Sequence, residues 1–312
     1  MPISHATTKS GESREMARRQ SICPICESSD LEIYSADEDR ELAAAALGSS
    51  RQDVSHGRIL RCRACCFGFC QTRPAEDQLF SLYRELDSEV YERESRGRFK
   101  TATRHLKIVQ RYIAGGKLLD VGCASGAFLR CAADAGWDVT GVEPAQLLCS
   151  KAKEALAGRG KVICATLQEA SLPPAYFDAL TLWDVLEHVP DPVGFMKTCA
   201  GLLKPGGHLF VNVPDLDSLQ ARLLGEHWPL LLAEHLNYFN RNSLKICAER
   251  VQLARLHFGR RAASFSVEYV LYRLAQHRVP TISFVRKILG DSALAGISVP
   301  VFLGEIYGVW KR

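Results

Sequence analysis

The stretch Leu118-Leu119-Asp120-Val121-Gly122-Cys123-Ala124-Ser125-Gly126 restricts the folds open to this chain more than any other. Lys117 to Val121 is a short, mostly apolar run of the kind that forms a buried parallel strand, and Gly122 to Gly126 is a turn of small residues. Ala127 to Ala135 reads as a helix that stops at Gly136. A strand that feeds a helix through small residues lets a ligand approach free backbone N–H groups, because no bulky side chain stands in the way. That is the architecture of a nucleotide-type pocket, although an ordinary α/β turn without a ligand would use the same residue types.

A second strand, Trp137 to Val142, ends at Glu143. A carboxylate at the tip of the second strand of a βαβ unit can accept both hydrogens of a ribose diol. The glycine pattern is not that of dinucleotide folds. With Asp120, Gly122 and Gly126 it resembles the first motif of the class I S-adenosylmethionine (SAM) dependent methyltransferases, acid-x-Gly-x-Gly-x-Gly. Ala124 stands where the middle glycine is usual, and a positive φ there would strain it. The resemblance implies an α/β fold: a Rossmann-like seven-stranded sheet with helices on both faces. It also implies SAM as cofactor, contacted by Asp120, Gly122, Cys123, Ala124, Gly126, Glu143, Leu167 and Asp184. Thr166 occupies a place where related enzymes often carry Asp, which leaves the adenine contact to Leu167 and backbone atoms.

Upstream lie Cys23-Pro24-Ile25-Cys26 and Cys62-Arg63-Ala64-Cys65. Two Cys-x-x-Cys knuckles place four thiolates tetrahedrally around Zn²⁺, and such a closed site is structural. The insertion between them is longer than is usual in compact zinc sites. Cys66 could compete for the metal, and Cys70 is a further nearby thiol. Ile59-Leu60-Arg61 and Phe67-Gly68-Phe69 look like ribbon strands. The expected organisation is a disordered tail over 1–20, a zinc-ribbon-like domain over 21–75, a helical linker or lid over 76–115 and a methyltransferase domain over 116–312.

Length and charge bound the rest. The 312 residues, 47% hydrophobic, are enough for one large core and a smaller unit. A net charge of +4 is too small to argue for a nucleic-acid partner without a local patch. The first twenty residues lack an apolar core and no run of about eighteen apolar residues occurs, so neither a signal peptide nor a membrane span is expected. The twelve cysteines show no evenly spaced disulfide framework, which points to a reduced, cytoplasmic setting.

Along the chain, Glu41 to Leu47 reads as a helical turn, and helical spacing returns from Glu76. A helix from Phe99 to Ala114 precedes the first parallel strand, and the resemblance makes Tyr91 and Arg98 candidates for lining the cleft. Phe177 to Trp183 is the next strong strand. It runs into Asp184-Val185-Leu186-Glu187-His188-Val189-Pro190-Asp191-Pro192, which resembles the Asp-x-x-Glu-His-x-x-Asp-Pro signature of small-molecule methyltransferases. Residues just past strand ends face the crevice of an open parallel sheet. His188 is the candidate general base, with Glu187 to orient it or to join it around a divalent metal; alternatively His188 caps the helix that begins at Asp191.

Leu202 to Pro214 reads as a helix end, a Pro-Gly-Gly turn and a buried strand. The apolar connection Gly225 to Phe239 is an acceptor wall or lid, with His235 and Tyr238 as lining residues, or else a helix packed on the core. Residues 268–289 are basic and amphipathic, an exposed insert or a peripheral contact with a membrane or lipid-linked acceptor. Val299 to Trp310 is expected to be the antiparallel edge strand. The resulting expectation is a SAM-dependent methyltransferase acting on a hydroxyl or amine of a small molecule or saccharide. Its rivals are an RNA or protein methyltransferase that reads its target through the ribbon, and a non-catalytic scaffold of the same fold.

Overall fold

The computed structural model describes residues 22–36, 57–73, 95–267 and 297–312. The expected tail, the helical turn at Glu41 to Leu47, the helix from Glu76, Tyr91 and the basic stretch 268–289 lie outside the described residues.

The larger sheet is built from parallel strands β4 (Lys117–Val121), β5 (Asp138–Val142), β6 (Lys161–Ile163) and β7 (Phe177–Trp183), followed by β8 (Leu203–Pro214), β10 (Ala254–Ser266) and β11 (Ser298–Lys311). The strand order is β10-β11-β8-β7-β4-β5-β6. The chain moves outward from β4 to β6 and then returns to place β7 on the other side of β4. This reversal opens a crevice at the carboxyl ends of β4 and β7, where open α/β sheets bind ligands. Intervening helices cover the sheet: α1 (Ser95–Val109), α2 (Ala127–Asp134), α3 (Gln146–Leu156), α4 (Pro192–Leu202) and, later in the chain, α6 (Arg241–Arg250).

Side-chain alternation puts a core on each face. Leu119 and Val121 join one apolar cluster with Leu180, Leu182, Leu209 and Val211, whereas Leu118 joins another with Val139, Phe128 and Leu129. α4 begins as its sequence dictates: Pro192 occupies the first turn and the Asp191 carboxylate accepts from the Gly194 amide at 2.9 Å. The cap is therefore Asp191 itself and not His188.

One expectation about the far edge is corrected. The Val299 to Trp310 segment lies inside the sheet as β11, paired antiparallel with β8 on one side and β10 on the other. The edge strand is β10.

A smaller sheet has the order β1 (Leu31–Ala36), β2 (Arg58–Cys62), β3 (Gly68–Cys70), β9 (Asn237–Tyr238). Its last strand belongs to the connection between β8 and α6, which also holds the short helix α5 (Leu219–Leu224). Cys23, Ile25, Leu60, Phe67 and Phe69 pack into the same apolar cluster as Leu244, Cys247 and Phe239. The N-terminal sheet is thus fused to the larger fold, and residues 225–239 are the seam. Among the described residues no helix is long and apolar enough to cross a membrane.

Candidate active site

The turn after β4 is held from below. The amides of Gly122 and Cys123 both donate to the Val142 carbonyl, which ties the turn to the end of β5. Gly122 has φ +71 and Gly126, the residue before α2, has φ +79, so both occupy the left-handed region that favours glycine. A Cβ on Gly126 would meet the Ala152 backbone at 3.0 Å. Ala124, in the middle, also takes a left-handed φ of 47, so the strain expected of it is present. Gly126 provides no side-chain cap for α2, whose first amides therefore have no side-chain acceptor from that residue.

Two buried carboxylates flank this turn. Glu143 is 6% exposed; it accepts from the Ala124 amide at 2.8 Å and from the Ala145 amide at 2.9 Å. These bonds fix the carboxylate against the turn while each oxygen keeps a further lone pair. Asp120, on β4, accepts from the Thr181 hydroxyl at 2.6 Å. Burial raises its pKa to about 7, the Thr181 bond opposing and the Glu143 charge adding to the rise. Glu143 is also raised by burial, against the two amides that stabilise its charge. The Cys123 thiol is buried in the core, leaving its backbone at the turn. Leu167 is likewise buried and packs beside Val142 and Leu182.

The segment after β7 faces this turn. A Cβ on Gly122 would meet the Val185 side chain at 2.7 Å, which shows how closely the two approach. Asp184, with φ 59, leaves the strand and turns back to pair with Arg261 of β10 at 3.1 Å. Arg261 is 5% exposed; it also pairs with Glu305 at 2.6 Å and donates to His105 Nε2 at 2.6 Å. Asn212 donates to Asp184, and His105 stacks on Trp183 with ring centroids 3.8 Å apart. Burial, and then the charge of Arg261, hold His105 well below its usual range, so it is a neutral acceptor. Trp183 Nε1, Asn212 Oδ1, Arg261 Nε and Glu305 Oε2 are buried without a hydrogen-bond partner among the described residues. No periodicity or motif pointed to Arg261, His105 or Glu305, because they come from three distant elements and meet only through β10 and β11.

Glu187, His188 and His235 form the third group. The carbonyl of Glu187 accepts from the amides of Leu236 and Asn237, and the Asn237 side chain donates to the carbonyls of Leu186 and Val189 at 3.1 and 2.7 Å. The connection is thereby clamped to the strand end. His188 Nδ1 donates to the Glu234 carbonyl at 3.0 Å and His235 Nδ1 donates to the Leu230 carbonyl at 2.9 Å, since a carbonyl can only accept. In both rings the lone pair is therefore on Nε2. Burial lowers His188 to about 4 and His235 well below the usual range, and pushes Glu187 well above the usual carboxylate range. Tyr238 is fully buried and donates to the Leu232 carbonyl at 3.2 Å, so its phenol packs under the N-terminal sheet instead of lining an open wall.

Cys23, Cys26, Cys62 and Cys65 bring their sulfurs within 4.8 Å of one another, with Cys23–Cys65 and Cys26–Cys62 both at 3.5 Å. Tetrahedral Zn²⁺ with Zn–S bonds of about 2.3 Å needs sulfurs about 3.8 Å apart, so the four residues fit the ion. Cys66 stands outside this group. Cys70 also does, and its thiol donates to the His235 carbonyl at 3.2 Å. Cys149 and Cys164 form a disulfide with Cα atoms 5.5 Å apart, a pairing the cysteine spacing had not announced.

Residues 93–257 match the model of a family described as a methyltransferase domain. The chain is 38% identical over 125 residues to the ubiquinone biosynthesis O-methyltransferase of Idiomarina loihiensis, covering 39% of this chain and 49% of that one. It is 34% identical over 153 residues to the enzyme of the same name from Pectobacterium carotovorum, covering 46% and 63%. The chain spans about half the length of the curated relatives it matches. Among solved structures, a SAM-dependent methyltransferase from Leishmania major superposes with a TM-score of 0.50 at 14% identity, covering 76% of this chain and 82% of that one, a likeness of fold. With the family model matched over more than half of its residues, the chain belongs to the methyltransferase domain family.

Proposed function

We propose that this protein is a SAM-dependent methyltransferase that methylates a hydroxyl or amine of a small molecule or saccharide. The observation that supports the reading is the close approach of two strand ends: the turn over Gly122 to Gly126, with Asp120 and Glu143 beside it, lies against Val185 of the segment after β7 that carries Glu187 and His188. Asp120, Gly122, Cys123, Ala124, Gly126, Glu143, Leu167 and Asp184 would hold the donor. Glu143 offers lone pairs to a ribose diol, and Asp120 is an anion for the amino-acid portion. The relatives' names specify O-methylation, which favours a hydroxyl acceptor over an amine.

SAM supplies an electrophilic methyl on sulfonium, so this chain's task is to align an acceptor and relieve it of a proton. His188 is suited to that. Its ring is neutral at physiological pH, and its Nδ1–H is held by Glu234, which leaves Nε2 as the basic nitrogen. The cluster of buried polar atoms at Trp183, Asn212, Arg261 and Glu305 would offer hydrogen bonds to a polar acceptor.

We assign a structural Zn²⁺ to Cys23, Cys26, Cys62 and Cys65, which would brace the seam beside His235. Its chemistry is closed, and no reaction step passes through it. Titration calorimetry with SAM tests the reading: micromolar binding that is lost in Glu143→Ala supports it, and absence of binding to zinc-replete protein refutes it. His188→Ala should retain SAM binding and lose methyl transfer to a panel of phenolic and saccharide hydroxyls.

A further inference from the structure

We propose that Arg73 and Asn237 are positioning residues for His188, and that the cysteine-bearing N-terminal sheet serves the reaction through them. The inference rests on the reading of His188 as general base and names what holds that base in place.

His188 stands in the arc Leu186 to Pro190 that follows β7, outside any helix or strand. Such an arc has no ladder of its own, so its carbonyls depend on partners from elsewhere. The Asn237 side chain donates to the carbonyls of Leu186 and Val189 at 3.1 and 2.7 Å. The amides of Leu236 and Asn237 donate to the Glu187 carbonyl at 2.8 and 3.0 Å, and Arg73 donates to the Pro190 carbonyl at 2.5 Å. The carbonyls on both sides of His188 are thus held by the seam with the N-terminal sheet.

Arg73 also orients the clamp. Its second terminal nitrogen donates to Asn237 Oδ1 at 3.0 Å. An amide oxygen only accepts, so this bond decides which way the Asn237 amide is turned and aims both of its hydrogens at the arc. Asn237 is fully buried, and both polar atoms of its side chain are used. Arg73 lies just beyond β3, with its guanidinium 5.4 Å from the Phe69 ring centroid, and Phe69 pairs with Asn237 in the β3–β9 ladder. One short ladder therefore carries both residues.

The same seam sets the tautomer of the base. The Glu234 carbonyl, which takes the His188 Nδ1–H at 3.0 Å, directly precedes two anchored residues. The His235 carbonyl accepts from the Cys70 thiol at 3.2 Å, and the Leu236 carbonyl accepts from the Cys70 amide at 3.0 Å. Without that support the Glu234 carbonyl can move off the ring, and Nε2 is no longer fixed as the basic nitrogen. A reacting group displaced by about 1 Å loses about 100-fold in rate, so the effect falls on kcat. The N-terminal sheet thereby has a task inside the chain, where the rival reading of the ribbon gives it a target outside.

The test uses the full chain with its cysteine site loaded with zinc. Asn237→Asp keeps the size and the Arg73 contact but cannot donate to Leu186 and Val189. Arg73→Met keeps the apolar stem and loses the bonds to Pro190 and Asn237, while Arg73→Lys keeps the charge. Long-range ¹H–¹⁵N spectra, with the His188 signals assigned by their loss in His188→Ala, should show a single Nδ1–H tautomer in the unmodified chain. Asn237→Asp and Arg73→Met should give a mixture of tautomers, with SAM affinity by calorimetry unchanged. For a phenolic or saccharide hydroxyl that the unmodified chain methylates, kcat should fall about tenfold or more in both variants with KM unchanged, and Arg73→Lys should recover part of the loss. Should Asn237→Asp not fold, Arg73→Met and Arg73→Lys decide by the same readouts. An unchanged tautomer or an unchanged kcat in folded variants overturns the positioning role, and so does a loss of kcat that SAM affinity and thermal stability share. The two readings fail separately: turnover retained in His188→Ala refutes the base, whereas an inactive His188→Ala beside unchanged Arg73→Met and Asn237→Asp refutes the positioning alone.

Discussion

Lowering the pH from 8 to 6 is expected to weaken SAM binding about tenfold, and Asp120 is the reason. Its carboxyl is 2% exposed, has no cation partner among the described residues, and is raised by burial to about 7. A group with that pKa is about 90% ionised at pH 8 and about 10% ionised at pH 6. If the cationic donor pairs only with the ionised form, its apparent affinity falls with that fraction, about 1.4 kcal/mol over the interval. Binding should then take up no proton at pH 8 and release nearly one at pH 6, which calorimetry in buffers of different ionisation enthalpy measures. Asp120→Asn should flatten the profile and bind weakly throughout, while Glu143→Gln should lower affinity and move the midpoint below pH 7, because the Glu143 charge contributes to the raised Asp120 pKa.

Stability in the absence of SAM has the opposite sign. The folded pKa lies above the unfolded value, so the folded chain binds more protons and loses stability as pH rises from about 4 to about 7. A shift of about 3 units corresponds to about 4 kcal/mol at most, so Asp120→Asn should unfold later than the parent at pH 8 and show little of that gain at pH 4. A pH-independent SAM affinity, or the same midpoint in Asp120→Asn, refutes this account.

Four further outcomes are expected. Ala124→Gly removes the left-handed strain at φ 47 and should raise stability by about 1 kcal/mol in thermal melts, with SAM binding retained. Gly126→Ala should cost about 1–2 kcal/mol and weaken SAM binding, because φ +79 strains the new side chain and Ala152 stands 3.0 Å from its Cβ. Arg261→Met should cost about 3–5 kcal/mol in denaturant melts by leaving Asp184 and Glu305 unpaired, and Arg261→Met with Glu305→Leu should recover part of it. Removing zinc with a strong chelator, or replacing Cys65 with Ser, should release one zinc per chain in a colorimetric assay and lower the melting temperature; an unchanged melt would show that the four thiols do not brace the fold.

Local patterns made much of this protein legible. The run Lys117 to Val121, the small residues to Gly126 and Glu143 at the next strand end announce a strand-turn-helix-strand unit, and the structure places β4, α2 and β5 there. Paired Cys-x-x-Cys knuckles announce convergent thiols because few other arrangements explain them. In contrast, β10 alternates poorly: Leu256 is exposed and Arg261 is buried, a reversal of the usual pattern that only the partners Asp184 and Glu305 explain. The two residues of β9 are too few for any periodicity, so the fusion of the small sheet to the larger fold could not be read in advance.

The amino-acid sequence by itself determined the parallel strands of the first half, the small-residue turn with its carboxylates, and the grouping of the two Cys-x-x-Cys knuckles. Each of these is encoded within a few consecutive residues, where backbone preference and side-chain spacing act directly. Tertiary structure alone decided that β11 lies inside the sheet, that Arg261 neutralises Asp184, and that His235 comes within 4.8 Å of Glu187 and His188. Those outcomes depend on which distant segments share a boundary, and spacing along the chain carries no record of a contact made across it.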